Sequence, residues 1–405
     1  MNVPDPTDTI AAISTPLGEG GIGIVRISGD RALEIAAHIF RPLNPAKRVA
    51  ELPTHTVHHG HVLDGSEIVD EALLTLMRAP RSYTRQDVAE LSCHGGVVPL
   101  RRTLQAALNH GARLAEPGEF TRRAFINGRI DLAQAEAVAD LIYAKTEESH
   151  RAAMAQLRGC LSREVRDIRE ELLDLITYVE ASIDFVDEDI TFLTLDEQRQ
   201  RCESIRQRLQ SLIASADSGQ VLREGLATAI IGRPNVGKSS LMNALLRRDR
   251  VIVTPIPGTT RDVVQDLLNI KGIPVRLADT AGLRDAHDLV ESEGVQRSRR
   301  EMQAADLVLL VVDASAPLTE ADRRLLREAR ADRTIVVINK IDLPQVVTTT
   351  HVREVLPDVP CVEVSATQRL GLEGLEEAIA QMVWRGRAGP SDAVIVTNVR
   401  HRDAL

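Results

Sequence analysis

The sequence has few aromatic residues, which limits the ligand surfaces that it can build. Only 2% of its 405 residues are Phe, Trp or Tyr, and a single Trp is present. Successive aromatic platforms for stacking nucleic-acid bases are therefore poorly supplied. The net charge is −9 and the pI is about 5.7. A broad basic face for non-specific nucleic-acid binding is therefore not expected, although a local arginine cluster could still contact RNA.

Paired cysteines, long apolar runs and a leader segment are also missing. Four cysteines lie far apart without a CxxC pair, which argues against a structural zinc site and a disulfide framework. No apolar run reaches 18 residues, and the N-terminus lacks a basic segment followed by an apolar one. We therefore predict no membrane span and no secretory leader, and we expect a cytoplasmic protein with reduced thiols. The length predicts two to three domains, and the apolar content of 43% is ample for their cores.

A phosphate-binding loop is the clearest motif that the chain does contain. Residues 232–239 read GRPNVGKS and match the pattern GxxxxGK[ST]. The apolar run 226–231 before it predicts a buried strand, and residues 240–248 after it predict a helix. In that context the loop amides and the helix N-terminus would bind a phosphate. Lys238 would reach the β- and γ-phosphate oxygens, and the Ser239 hydroxyl would bind Mg²⁺.

Three further motifs follow in order and predict a guanine nucleotide. Residues 279–282 read DTAG after an alternating segment, and an aspartate at a strand end facing the loop lysine is where Mg²⁺ is held. Residues 339–342 read NKID and resemble the guanine-reading motif of GTPases, in which Asp342 would accept hydrogen bonds from guanine N1 and N2. Residues 365–366 resemble the loop that donates a backbone N–H to guanine O6. One such motif alone could be an ordinary turn with a helix cap, but four in order predict a GTPase.

The predicted catalytic apparatus departs from the Ras type. The position after the DTAG motif holds Leu283, where Ras-type GTPases have the glutamine that orients water. Either another group orients the water, or hydrolysis is very slow. Glu291 is a candidate, although a carboxylate favoured by a helix N-terminus is the alternative on pattern alone. In the segment 257–262 a threonine must supply the second side-chain ligand of Mg²⁺, and Thr260 is the better candidate.

The chain divides into three zones of different character. Residues 1–118 contain short apolar runs between Gly and Pro, which predict an α/β domain. Residues 119–222 are nearly free of Gly and Pro after Gly128 and predict a helical domain. Residues 223–384 predict a Ras-like P-loop GTPase domain with about six strands, in which 263–270 and 273–278 form an antiparallel edge pair. Residues 385–405 resume with the capping residues Thr397 and Asn398 and stop one turn later, which predicts a truncated helical domain with an inserted GTPase.

Long strings in the N-terminal zone resemble one family. They include GGIGIVRISG at 20–29, SYT at 82–84 with DVAEL at 87–91, and PGEFT at 117–121, followed by DLAQAEA at 131–137. Together with GRPNVGKSS and PGTTRD, these strings are similar to the tRNA-modification GTPases called MnmE or TrmE. The resemblance covers nearly the whole chain, and the combination is highly specific. It implies a multidomain α/β fold with a folate-binding, dimerising N-terminal domain, a helical bundle and an inserted GTPase domain.

The resemblance implies a function that the GTPase motifs alone do not. Family members form homodimers and act with an FAD-dependent partner of the MnmG/GidA type, in an expected heterotetramer. Together they add a carboxymethylaminomethyl-type group to C5 of the wobble uridine in certain tRNAs. A 5-formyl- or 5,10-methylene-tetrahydrofolate supplies the one-carbon unit, and GTP hydrolysis drives a conformational cycle. The folate contacts carried over are Arg26, Glu90 and Arg129, which would otherwise be interpreted as surface charges.

The resemblance also implies the metal sites and the catalytic residue. Potassium would be bound by the side chains of Asn235 and Thr259 and the carbonyls of Thr254 and Ile256, and Mg²⁺ by Ser239 and Thr260. Glu291 matches the catalytic glutamate of the family. The full predicted nucleotide-binding set is Asn235, Val236, Gly237, Lys238, Ser239, Ser240, Thr254, Pro255, Ile256, Pro257, Gly258, Thr259, Thr260, Asp279, Thr280, Ala281, Gly282, Asn339, Lys340, Ile341, Asp342, Ser365, Ala366 and Thr367.

One departure from the family pattern matters, and two other readings stay open. The family normally ends in a short motif with a Cys followed by Gly-Lys, and this sequence stops before it. We therefore expect GTP and folate binding and leave open whether this chain modifies tRNA. A ribosome-assembly GTPase of the Era or Der type would share the phosphate loop, but it would carry a C-terminal RNA-binding module or two GTPase domains. A folate-dependent one-carbon transferase with a regulatory GTPase is the other alternative.

Overall fold

The computed structural model describes residues 8–184, 193–249, 267–277, 300–384 and 395–405. The described residues up to 138 form one compact unit, and those from 139 onward form a second. No helix in the described ranges combines the length and the apolar character that a membrane span requires.

The first unit is built on a seven-stranded sheet with the order β3-β4-β5-β6-β2-β1-β7. Neighbouring strands pair antiparallel, except that β1 and β7 are parallel. Buried and exposed residues alternate along β2 and β4, as expected for strands that bury one face. The strands are β1 (Ile10–Ile13), β2 (Ile22–Ser28), β3 (Phe40–Pro42), β4 (Thr56–Asp64), β5 (Glu67–Met77), β6 (Val88–His94) and β7 (Arg113–Leu114).

Two helices pack on this sheet and complete one apolar core. α1 (Ala32–Ile39) buries Leu33, Ile35 and Ile39, and α2 (Val97–Asn109) buries Leu100. Gly23 of β2 lets Leu100 approach the sheet closely, because a Cβ at this position would lie 2.5 Å from a methyl carbon of Leu100 and would displace that buried side chain. The predicted α/β character of this zone is confirmed.

A network of ion pairs fastens the next helix, α3 (Glu119–Ile126), to the first and last strands. The Arg123 guanidinium, 3% exposed, donates to the Asp8 carbonyl at 2.6 Å and to both the Asp8 and Glu119 carboxylates. Arg113 donates to Glu119 at 2.7 Å and to Asp8 at 2.6 Å. Burial opposes ionisation of Glu119, but hydrogen bonds from Arg113, Glu116 and Arg123 outweigh it and lower its pKa to about 2. The network is therefore ionised at neutral pH and fixes α3 in place.

Long helices follow, as the scarcity of Gly and Pro predicts. They are α4 (Leu132–Tyr143), α5 (Glu147–Leu157), α6 (Cys160–Asp184) and α7 (Leu195–Glu224). α7 begins with a capping box, in which Thr194 accepts from the Glu197 amide and the Glu197 carboxylate accepts from the Thr194 amide. Arg208 on α7 pairs with Glu164 at 2.9 Å and with Glu171 at 2.5 Å, so α6 and α7 are held side by side.

The second unit contains a six-stranded sheet with the order β13-β12-β11-β8-β10-β9. Among the strands described, only β9 and β10 pair antiparallel, joined by Lys271 and Gly272 with φ of +47° and +87°, which confirms the predicted edge pair over its described residues. β11 and β12 are buried at every position, as expected for central strands of a parallel sheet. The strands are β8 (Leu226–Ile231), β9 (Leu267–Ile270), β10 (Ile273–Leu277), β11 (Leu307–Asp313), β12 (Thr334–Asn339) and β13 (Cys361–Val364).

Helices surround this sheet, and two apolar clusters fill the space between them and the sheet. The helices described are α8 (Lys238–Asp249), α9 (Glu320–Glu328), α10 (Thr349–Arg353), α11 (Leu372–Trp384) and, at the end of the chain, α12 (Val399–Ala404). Asn398 caps α12 as predicted, because its side chain accepts from the Arg400 amide at 2.9 Å. Thr397 does not act as a cap: it is buried, and its hydroxyl donates to Gln156 at 2.7 Å.

The sheet contacts helices α5 and α7 of the same unit. Gly225 links α7 to β8 with φ of +82°. The Ser149 hydroxyl of α5 donates to the Leu222 carbonyl of α7 at 2.7 Å, close to this junction. The β9–β10 turn also meets α5, because a Cβ on Gly272 would overlap with the Cγ of Glu148. The β9–β10 turn is therefore packed closely against α5.

Candidate functional site

The candidate nucleotide site lies where β8, β11, β12 and β13 end. All four strands are parallel, so the segments that follow them meet at the same edge of the sheet. Ligands of open α/β sheets bind at this carboxyl edge. The phosphate loop follows β8, the 339–342 motif begins at the end of β12, and the 365–367 segment follows β13.

The phosphate loop packs tightly against the ends of two strands. A Cβ on Gly232 would overlap with the Val311 carbonyl of β11, and a Cβ on Gly237 would overlap with the Asn339 amide nitrogen. Both glycines have positive φ, and Asn235 at the apex has φ of +66°. Val236 is fully buried, whereas Asn235 is exposed. The loop is therefore held by its contacts with the ends of β11 and β12, and its apex at Asn235 is exposed to solvent.

Lys238 and the two serines after it begin α8. The Lys238 ammonium donates to the carbonyls of Gly232 at 2.7 Å and Arg233 at 2.8 Å. Burial lowers the pKa of Lys238, and the negative charge of Glu301 partly opposes this effect. Ser239 and Ser240 are both exposed. The ammonium thus lies over the loop, and the Ser239 hydroxyl is open to a hard cation such as Mg²⁺.

Asn339 connects three of the predicted motifs. Its side chain is 2% exposed; Nδ2 donates to the Val236 carbonyl at 2.8 Å, and Oδ1 accepts from the Ala366 amide at 3.1 Å. Sequence reasoning treats Asn339, Val236 and Ala366 as separate nucleotide contacts. The structure brings them together as one hydrogen-bonded unit at the sheet edge.

The remaining base-side residues differ in exposure. Ser365 is fully buried, and its hydroxyl contacts the Thr367 hydroxyl at 3.2 Å and accepts from the Gln368 amide at 3.1 Å. The Ile341 amide donates to the Val364 carbonyl at 3.3 Å, which holds the 339–342 turn against β13. Asp342 is exposed, and its predicted contact with guanine stays a prediction.

Lys340 has a partner that the motifs did not predict. Its ammonium lies 2.6 Å from Oδ2 of Asp313, the last residue of β11. Oδ1 of Asp313 accepts from the amide and the hydroxyl of Ser315 at 2.9 and 2.6 Å. Burial opposes ionisation of Asp313, but hydrogen bonds from Lys340 and Ser315 outweigh it and hold its pKa below the ordinary value. One feature of the sequence could have indicated this partner: Asp313 is a carboxylate at the end of an apolar strand, and that strand precedes the strand that carries the 339–342 motif.

Several predicted residues lie outside the described ranges. They are the predicted nucleotide and metal ligands at 254–260, the DTAG motif at 279–282, and Leu283 and Glu291. The predicted contacts of these residues with Mg²⁺, potassium and water therefore stay predictions.

Two of the three predicted folate residues, Arg26 and Arg129, meet at one aromatic ring in the first unit, and the third, Glu90, is bonded to Arg26. Arg26 on β2 donates to Glu90 on β6 at 2.6 Å, as the antiparallel register of these strands requires. The guanidinium carbons of Arg26 and Arg129 lie 5.7 and 4.8 Å from the centre of the Tyr83 ring. Arg26 also lies 5.3 Å from the centre of the Phe120 ring on α3. These distances are typical of cation–π contacts.

Sequence reasoning did not identify Tyr83 and Phe120 as site residues, although both stand in strings that carry the family resemblance. The Tyr83 hydroxyl contacts the Thr121 hydroxyl at 2.9 Å. The neighbouring Thr84 is buried, and its carbonyl accepts from Asn127 at 2.6 Å. Two motifs distant in sequence therefore fix the same ring, and Glu119 anchors the helix that carries Phe120.

Comparisons with known proteins agree across the chain. The family model described as the GTP-binding protein TrmE N-terminus matches residues 9–129, and the MnmE helical domain model matches residues 132–405. The tRNA modification GTPase MnmE of Alkaliphilus oremlandii is 49% identical over 400 residues, covering 98% of this chain and 87% of the relative. The protein of the same name from Geobacillus thermodenitrificans is 49% identical over 397 residues, covering 97% of this chain and 86% of the relative.

A solved G domain of the T. maritima FeoB iron transporter is 28% identical, covers 39% of this chain and 98% of that one, and superposes with a TM-score of 0.29. The assignment therefore rests on the family models and the sequence relatives. They show that the chain belongs to the MnmE family of tRNA-modification GTPases and is a GTP-hydrolysing enzyme of tRNA modification.

Proposed function

We propose that this GTPase serves the addition of a carboxymethylaminomethyl-type group to C5 of the wobble uridine in certain tRNAs. A tetrahydrofolate would supply the one-carbon unit, and an FAD-dependent protein of the MnmG/GidA type would be the partner. The observation that supports the folate step best is the meeting of Arg26 and Arg129 at the Tyr83 ring, with Glu90 paired to Arg26. A folate has a flat pterin with a hydrogen-bonding edge and an anionic glutamate tail, and this cluster offers a partner for each part.

Each side chain of the cluster has a chemical role in this proposal. The rings of Tyr83 and Phe120 offer flat apolar surfaces against which a pterin could pack. Glu90, 19% exposed at its side chain, could accept hydrogen bonds from the pterin edge. Arg129 could bind a carboxylate of the tail, and Arg26 would orient Glu90 through their hydrogen bond.

Calorimetric titration of the full chain with 5-formyltetrahydrofolate tests this site. Glu90→Gln and Arg129→Ala should each weaken binding by about 1–3 kcal/mol, the usual cost of losing a charged hydrogen bond. Arg102→Ala is the matched control, because Arg102 lies in the same unit but pairs with the exposed Glu67 at 2.8 Å. Unchanged affinity in both site variants would remove these residues from the folate site. Repeating the titration with GTP present shows whether the two sites are coupled.

For GTP hydrolysis we propose that Asp342 reads guanine N1 and N2 and that Lys238 binds the β- and γ-phosphates. Ser239 and Thr260 would hold Mg²⁺, which supplies charge neutralisation at the phosphate oxygens. The exposed hydroxyl of Ser239 at the start of α8 suits this ligand set. Glu291 would orient the attacking water in place of the absent glutamine.

We further propose that potassium takes the place of an arginine finger. Arg233 of the phosphate loop is not free to serve as one, because its Nε lies 3.2 Å from Oδ2 of Asp322, a residue 3% exposed on α9. Asn235 stands exposed at the loop apex and could present a neutral oxygen to the ion. The remaining potassium ligands would be the carbonyls of Thr254 and Ile256 and the side chain of Thr259.

The assembly and its division into domains are also proposals. We propose a homodimer that joins its FAD-dependent partner as a heterotetramer in the cytoplasm. The proposed domains are residues 1–118, residues 119–222 continued by 385–405, and residues 223–384. Light scattering after size-exclusion chromatography, with and without the partner, tests the assembly: a monomer at all concentrations would contradict it.

A further inference from the structure

Asp313 is a nearly buried carboxylate beside the base-binding segment, and it belongs to none of the nucleotide motifs. We propose that Asp313 is a positioning residue, which holds the Lys340 side chain in the arrangement that binds the guanine base. This inference rests on the proposed role of residues 339–342 in guanine recognition. It deepens that role by adding a residue from a different strand.

The parallel register of the sheet places the two residues together. Asp313 ends β11 and is paired with Asn339, which ends β12. The Ala314 amide donates to the Asn339 carbonyl at 2.8 Å, so the chain segments stay side by side beyond the strands. The side chain that follows Asn339 therefore comes within 2.6 Å of the Asp313 carboxylate. Register sets this contact, and a shift by one residue would remove it.

The Asp313 carboxylate is itself held in one orientation. Oδ1 is occupied by the amide and the hydroxyl of Ser315, which leaves Oδ2 for the Lys340 ammonium. The Asp313 side chain is 9% exposed, against 31% for Lys340. A nearly buried and pre-oriented carboxylate thus binds the ammonium of a partly exposed lysine.

Fixing the ammonium orders the whole lysine side chain. Lys340 stands between Asn339, which is bonded to the phosphate loop, and Asp342, which is proposed to read the base. Its methylene stem therefore borders the space between phosphates and base, where it can pack on the guanine plane. A free lysine samples many rotamers, and one that is ordered in advance loses less entropy when the nucleotide binds. The Asp313 carboxylate also balances the positive charge of the Lys340 ammonium, so Lys340 does not compete with Lys238 for the phosphates.

The test is a double-mutant cycle on GDP affinity and GTPase kinetics, made with the full chain. Asp313→Asn keeps an oxygen for Ser315 but turns an NH₂ group towards the Lys340 ammonium. It should weaken GDP binding about tenfold, the scale of one hydrogen bond to a charged group. KM for GTP should rise while kcat stays within about twofold, because the phosphate-side residues are untouched. In a Lys340→Ala background, Asp313→Asn should have almost no further effect.

An equal loss in both backgrounds, or no loss in either, would overturn the inference, because Asp313 would then not act through Lys340. Asp306→Asn is the matched control at the opposite end of β11, where Asp306 accepts from the Ala227 amide at 3.0 Å, and it should leave GDP affinity unchanged. If Asp313→Asn does not fold, Ser315→Ala replaces it. That variant removes one bond to the carboxylate, and its smaller loss must likewise vanish without Lys340.

Asp342→Asn is measured in the same experiment, so that failure of the Asp313 role can be distinguished from failure of the proposed guanine site. If Asp342→Asn loses its preference for guanine while Lys340→Ala binds GDP normally, the inference about Asp313 fails and the base site stands. If neither variant changes nucleotide binding, the proposed base site fails, and the inference fails with it.

Discussion

Asn339 and Val236 are joined by a hydrogen bond of 2.8 Å from side-chain amide to backbone carbonyl, although 103 positions separate them in sequence. The same side chain accepts from the Ala366 amide. The segment proposed to read the base thus holds the loop proposed to bind the phosphates. The two halves of the nucleotide site cannot shift independently without breaking buried hydrogen bonds.

We therefore predict that Asn339→Ala weakens both stability and nucleotide binding. The change leaves the Val236 carbonyl and the Ala366 amide without their partner, which costs about 1–3 kcal/mol per buried group. The melting temperature should fall, and added GDP should restore less of it than in the wild type. Asn44→Ala, which removes only an exposed turn contact to Ala46, is the control. Wild-type melting and GDP response in Asn339→Ala would contradict this account.

Glu119 is predicted to anchor α3 through its ionised form. Its folded-state pKa of about 2 lies below the ordinary value of 4.5, so its contribution is complete above about pH 4.5 and is lost as the pH falls towards 2. Glu119→Gln should destabilise the first unit by about 3 kcal/mol, because Arg113 and Arg123 lose a buried partner. It should also flatten the loss of stability below pH 4.5.

Hydrogen exchange of α3 and β7 as a function of pH measures this effect. Glu116→Gln is the control three residues earlier, since Glu116 makes an exposed pair that is worth less than about 1 kcal/mol. If the Gln variant at 119 keeps wild-type protection in α3 at neutral pH, the carboxylate does not anchor the helix.

Gly272 is predicted to couple the GTPase sheet to α5. Gly272→Ala should destabilise the second unit by about 1–3 kcal/mol, through its φ of +87° and through overlap with Glu148. Gly65→Ala calibrates the cost of a positive φ alone, because Gly65 has φ of +62° but open space around its Cβ position; since it lies in the first unit, its unfolding is followed by circular dichroism. The single tryptophan, Trp384, lies in the second unit, so urea unfolding followed by its fluorescence reports that unit alone. Adding Glu148→Ala should recover part of the loss, and no recovery would contradict the proposed contact.

The local parts of this structure could be predicted from the sequence. The phosphate loop depends on glycines at fixed spacing between a strand and a helix, and the β9–β10 turn depends on Lys271 and Gly272. The order of the motifs also indicated the common sheet edge. Such features are encoded within a few consecutive residues.

The non-local parts could not be predicted from local patterns. Asp313 becomes a partner of Lys340 only through the register of two strands. Tyr83 and Phe120 flank Arg26 because a loop and a helix, fixed by Asn127 and Glu119, converge on β2. The family resemblance identified the strings that contain these residues but gave no physical reason for them. That reason requires the three-dimensional arrangement.

Glu291 is predicted to orient the attacking water, since Leu283 occupies the position next to the DTAG motif. Glu291→Ala should reduce kcat by about 10²–10⁴, the usual contribution of a positioned acid or base. GDP affinity should be unchanged, because the base and phosphate contacts remain. Single-turnover hydrolysis with prebound GTP separates the two effects. Full turnover in this variant would assign the water to another group.

Potassium held by Asn235 is proposed to act in GTP hydrolysis where other GTPases use an arginine finger, a group worth about 10³–10⁵ in rate. The most direct measurement is steady-state GTPase activity in KCl and in NaCl at equal ionic strength, for the wild type and Asn235→Ala. The account predicts a fast wild-type rate in KCl only, and a slow Asn235→Ala rate in both salts. Equal wild-type rates in the two salts, or a full potassium response in Asn235→Ala, would contradict it.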